Sequence, residues 1–198
     1  MSDTKENTEG TMEIVNRTEL SSSRLEGMFL RATAGWASGR LKVVVRYSRG
    51  AVYSGTFASN PPRIYINLGR RNRYPFRIDT SIARAKTVGL SWWKPTYHVK
   101  AVNAYQLALF VFLHEFYHYL IHRARRNSHR KEAMCDRFAV RYLVDHCRLA
   151  VHDSSGREVP RSVWLFQDLD EFVSNSRTVA TTSRSALRPG RKRGKTER

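Results

Sequence analysis

The sequence predicts an α+β domain in which a small antiparallel or mixed sheet packs on one buried helix. Two short runs alternate apolar and polar residues as half-buried strands do, and one long run is apolar on nearly every side, as an enclosed helix is. With 198 residues, 41% of them hydrophobic, the chain carries enough apolar side chain for a single core of ordinary size.

In chain order, residues 1–20 lack apolar periodicity and read as a mobile N-terminal arm. Leu25, Met28, Phe29 and Ala32 then recur at helical spacing, and Ser23 followed by Glu26 is a capping-box signature, so a helix is expected from Ser23 to about Gly35. LKVVVRYS sets Leu41, Val43, Val45 and Tyr47 against more polar neighbours, and RIYINLG repeats the pattern with Ile64, Ile66 and Leu68. Both are expected strands, with AVYSGTF between them as a third. Residues 70–102 carry no clear period: Arg70, Arg71, Arg73 and Arg77 are interleaved with Tyr74 and Phe76, and Trp92-Trp93-Lys94-Pro95 reads as a loop.

The signal sharpens at Asn103, where Asn103 and Gln106 form a second capping box ahead of LALFVFLHEFYHYLI. A basic turn, HRARRNSHR, separates this helix from another expected at about Arg130 to His146, and Pro160 can open a third through WLFQDLDEFV. The domain is therefore placed at residues 21–175. Residues 176–198, Ser/Thr-rich and then basic, read as a disordered tail.

Charge and cysteine content narrow the classes. The net charge of +18 is uneven, with −3 on residues 1–27, +6 on residues 184–198 and +15 on the body between them. Such a body suits an anionic partner, and the clusters Arg70–Arg77 and Arg123–Lys131, with Tyr74, Phe76, Trp92 and Trp93 nearby, are a possible nucleic-acid surface to which the tail Arg188–Arg198 would add phosphate contacts. Cys135 and Cys147 lie twelve positions apart with no CxxC pair, which excludes a disulfide scaffold and a zinc ribbon. No apolar run has transmembrane length and the N-terminus is polar and acidic, so no membrane partner and a cytoplasmic location are expected.

His114-Glu115-Phe116-Tyr117-His118 matches H-E-x-x-H inside the expected buried helix. Positions four apart share a helix face about 6 Å apart along the axis, so both imidazoles can reach one tetrahedral ion, Zn2+ above all. Glu115, rotated about 100° from His114, stands beside the ion as a general base for an attacking water. Two imidazoles and a carboxylate are costly to bury unpaired, and nothing else in this apolar helix supplies partners.

A third ligand is needed. A pattern with Gly three and His six residues after the second His fails, because Ile121 and Ala124 stand there. His122 is about 12 Å along the axis from His114, too far to share the ion. His129 is a looser candidate in the turn. Glu132, fourteen residues after His118, is the preferred ligand, with Asp136 one turn further on either as its substitute or accepting the Nδ1 hydrogen of a liganding His.

HEFYHYLIH followed by E-A-M-C-D-R-F-A at 132–139 resembles the glutamate-zincin pattern, and its ending is close to that of the ImmA/IrrE-like metallopeptidases. The resemblance covers about residues 100–145. It implies a zincin-like fold and zinc-dependent hydrolysis of a protein or peptide substrate, with His114, His118 and Glu132 as zinc ligands, Glu115 as general base and Asp136 as the polar residue four positions beyond the third ligand. Cys135 stands where that family has a small Ala, and the interval from His118 to Glu132 is short for it. SprT-like metallopeptidases, which act on DNA-bound proteins, are a second resemblance that fits the basic body, although their third ligand is a His. In zincins an edge strand beside the motif helix takes substrate as an added strand; by resemblance RIYINL (63–68) or Tyr97 to Val99 would play that part. His98, Tyr142 and His146 are the available donors for a developing oxyanion.

Overall fold

Val43, Val44 and Val45 are all buried, on both faces of one strand, which is how an interior strand of a parallel arrangement reads. The computed structural model, which describes residues 12–127 and 131–174, places them in β2 (Lys42–Tyr47) between β1 (Glu13–Arg17) and β4 (Pro62–Leu68), both parallel to it. β3 (Tyr53–Ser59) runs antiparallel to β4 and ends the sheet, whose order is β1-β2-β4-β3. The sheet is thus mixed, and the protein is α+β.

β1 falls inside the stretch expected to be a mobile arm. Its pairing with β2 through Glu13↔Lys42 to Arg17↔Arg46 gives five residues a backbone partner that their own polar sequence does not announce. Residues 1–11 and the tail from 175 lie outside the described residues.

α1 (Ser22–Ala32) packs through Phe29, stacked on Phe112 at 4.2 Å between ring centroids. Its cap is Ser21, whose hydroxyl accepts from the Arg24 N–H, two residues before the capping box expected at Ser23. α2 (Ala104–Arg123) begins where Asn103 accepts the Gln106 N–H at 3.0 Å. It is buried from Leu107 to Leu113 and again at Phe116, Tyr117 and Tyr119 to Ile121, between the sheet and α3 (Glu132–Cys147). Tyr117 stacks on Phe138 of α3 at 4.8 Å and donates its hydroxyl to the Leu169 carbonyl at 2.8 Å.

The stretch without a period, 70–102, holds four short strands. β5 (Phe76–Thr80) pairs antiparallel with β8 (Tyr97–Ala101), and β6 (Lys86–Val88) with β7 (Ser91–Trp93). The helix expected from Pro160 divides into α4 (Arg161–Trp164) and α5 (Leu169–Ser174), because Asp168 accepts the N–H groups of Asp170 and Glu171 and starts a new helix.

Candidate metal centre

α2 and α3 together build the site. His114 and His118, one turn apart on α2, have ring centroids 5.1 Å apart. Glu132, in the first turn of α3, faces both: its Oε2 is 3.1 Å from His114 Nε2 and its Oε1 is 3.3 Å from His118 Nε2. On the far side of the His114 ring, Nδ1 is 2.8 Å from Asp136 Oδ1. Asp136 is itself held, because its Oδ2 accepts the Ser81 N–H at 2.7 Å. With Nδ1 as donor to Asp136, the His114 lone pair is presented at Nε2, toward Glu132.

His114, His118 and Cys135 each place one ligand atom within 4.8 Å of the others, a cluster that could hold a metal ion. The donor chemistry of the whole group, two imidazoles with a carboxylate and a thiol, suits a borderline transition metal. Cys135 is fully buried on α3, and burial, with the Glu132, Asp136 and Glu115 carboxylates, pushes its thiol well up. Glu132 is the exposed member, its side chain 65% accessible, so it forms the solvent side of the group.

Glu115, next to His114 on α2, lies against β3. It is buried and accepts the Phe57 backbone N–H, while a Cβ on Gly55 would stand 2.7 Å from its Cγ. Gly55 is therefore the gap in β3 into which the carboxylate fits. Burial pushes the Glu115 carboxyl up to about 7, reinforced by Glu132 and opposed by His114 and the Phe57 bond. Burial lowers the His118 pKa, helped by the neighbouring His114. At His114 burial acts downward too, but the Asp136 bond and charge outweigh it and hold that ring above its ordinary value.

The structure thus brings together His114, Glu115, His118, Glu132 and Asp136. Asp136 bonds the Nδ1 side of His114 and so is not placed as a substitute for Glu132. His122 sits at the end of α2 against Phe57, 5.7 Å between rings, outside the group. His129 lies outside the described residues. Of the two segments expected to be the edge strand, β4 is interior, while β8 pairs with β5 in a two-stranded sheet and carries one isolated bridge, His98 to His152, on its other side. The edge beside α2 is β3, whose weakly apolar YSGTFAS hid it. Of the expected oxyanion donors, His98 pairs with His152, and Tyr142 lies against His146 at 4.3 Å. Tyr53, not marked by the sequence, stands on β3 edge-on to Phe110; burial and the Asp136 and Asp79 charges raise its pKa and keep its hydroxyl a donor.

Trp92 and Trp93 are exposed on β7, whereas Tyr74 and Phe76 pack toward Tyr53, so the expected aromatic surface is divided. Among the described residues no helix is long and apolar enough to cross a membrane. No family model matches the chain, and no curated protein or solved structure matches it.

Proposed function

We propose that the chain is a zinc-dependent metallopeptidase of zincin-like fold, hydrolysing peptide bonds of a protein or peptide substrate. One observation carries the reading: Nε2 of His114 and of His118 meet the two oxygens of one carboxylate, Glu132, at 3.1 and 3.3 Å, while Asp136 holds the opposite nitrogen of His114 at 2.8 Å. In this reading His114, His118 and Glu132 hold Zn2+. When bound, the ion would supply positive charge that polarises the scissile carbonyl and acidifies the attacking water.

The remaining work falls to the chain. Glu115 takes a proton from the water as its oxygen attacks the carbonyl carbon, and returns that proton to the amine nitrogen as the C–N bond breaks. The Phe57 N–H and the Gly55 gap fix where that carboxylate sits. Asp136 keeps the His114 tautomer and ring orientation. β3, with β4 on one side only, is the edge available to an extended substrate backbone. The glutamate-zincin resemblance of about residues 100–145, whose ending at 132–139 is close to the ImmA/IrrE-like pattern, supports this reading.

The test is zinc content. Wild-type protein, purified without chelators and dialysed, is expected to retain at least about one zinc per chain by elemental analysis, and Glu132→Ala to hold about one fewer. Reconstituted wild type that retains none overturns the proposal. Asp136→Asn leaves the first three ligands in place, so its expected effect is graded: about 10- to 100-fold weaker zinc binding in a competition titration against a chromogenic chelator. An unchanged affinity would mean that Asp136 does not orient His114.

A further inference from the structure

A second row of ligand-type side chains lies outside the group on α2 and α3. His98 of β8 and His152 form an antiparallel bridge in which each backbone N–H reaches the other's carbonyl, at 2.9 and 2.8 Å. Directly opposed residues of such a pair project from the same face. Asp79 stands opposite His98 on β5, and Glu158 stands opposite His152 in a further bridge. Two imidazoles therefore lie side by side with a carboxylate residue at each end of the row.

The two rings are nearly parallel, 28° between planes and 5.6 Å between centroids. His98 is only 3% exposed, and Nδ1 of both rings is buried with no hydrogen-bond partner among the described residues. A buried imidazole nitrogen without a partner is destabilising, and here two such residues face each other across a single bridge. Burial lowers the His98 pKa, helped by Arg77, His152 and Lys100 and opposed by Asp79. Asp79 accepts from Arg77 through Oδ1 at 2.8 Å.

We propose that His98 and His152 form a second site for a divalent transition metal, held through their Nδ1 atoms. A cation bound to both nitrogens would satisfy both lone pairs, and Asp79 and Glu158 at the ends of the row would offset its charge. Imidazole ligation selects zinc, nickel or copper over magnesium or calcium, and the affinity order of the divalent ions puts copper first. The site shares no residue with the proposed peptidase centre, so either can fail without the other.

The experiment uses the full chain with His114→Ala and His118→Ala, which removes the first centre, titrated with Cu2+ and followed by electron paramagnetic resonance. One bound copper with hyperfine structure from two nitrogens is expected. Adding His152→Gln is expected to weaken its binding at least about tenfold and remove one nitrogen from the spectrum; His98→Gln is expected to do the same. His152 is the less buried of the two, so His152→Gln with an unchanged circular dichroism spectrum guards against a folding artefact. No copper uptake, the result if a single water donates to both nitrogens, overturns the proposal. So does uptake that neither glutamine substitution changes.

Discussion

Glu115→Gln is expected to lower the rate of peptide hydrolysis by about a thousandfold while zinc content and melting temperature stay near those of the wild type. Glutamine fills the same buried volume, and its amide oxygen can still accept the Phe57 N–H, so the contact with β3 survives. What it cannot do is take a proton from water and hand it to an amine. In the chain without an ion, burial above all pushes the carboxyl it replaces up to about 7. Single-turnover cleavage of a substrate by both proteins makes the comparison. A variant as fast as the wild type would remove Glu115 from the chemistry and leave the metal group intact.

Gly55→Val is expected to have the larger structural effect. The added Cβ would stand 2.7 Å from Cγ and 2.9 Å from Cδ of the buried Glu115. Either the carboxylate is displaced or β3 lifts from α2, and overpacking of this kind costs about 3 kcal/mol. For a domain of this size that lowers the melting temperature by roughly 6–12 °C, with hydrolysis lost as well. Gly50, where a Cβ meets nothing within 4 Å, is the control, and Gly50→Ala should leave both readings unchanged. Equal melting curves for Gly55→Val and wild type would show that the strand does not seat the carboxylate.

The metal-type group was readable because its members lie on two helices with strong signals of their own. His114 and His118 share a face by helical period alone, and Glu132 and Asp136 are one turn apart on the next helix. The closeness of Cys135 was not readable, because it depends on how far α3 is rotated against α2, which the Tyr117–Phe138 stack sets. β1 went unread since its strand identity comes from β2 rather than from its own residues. β3 was found as a strand but not as the edge: β4, with Ile64, Ile66 and Leu68 buried, carried the stronger apolar signal, and strand order is a property of the assembled sheet. The four strands in 70–102 are three to five residues long, too short for a period to register. His98 and His152 meet only through a bridge between segments far apart in sequence.

The Ser81 N–H holds Asp136, and the next residue along α3, Arg137, donates Nε to the Ile82 carbonyl at 3.0 Å while its guanidinium lies 4.1 Å from the Phe166 ring. Two adjacent residues of α3 thus grip two adjacent residues of the segment after β5. The grip works as a relay: backbone position at 81–82 sets the aspartate, the aspartate sets the imidazole, and the imidazole sets how strongly its other nitrogen donates. Strain applied to that short segment, far along the chain from the motif, would reach His114 through two hydrogen bonds, without any movement of α2 itself.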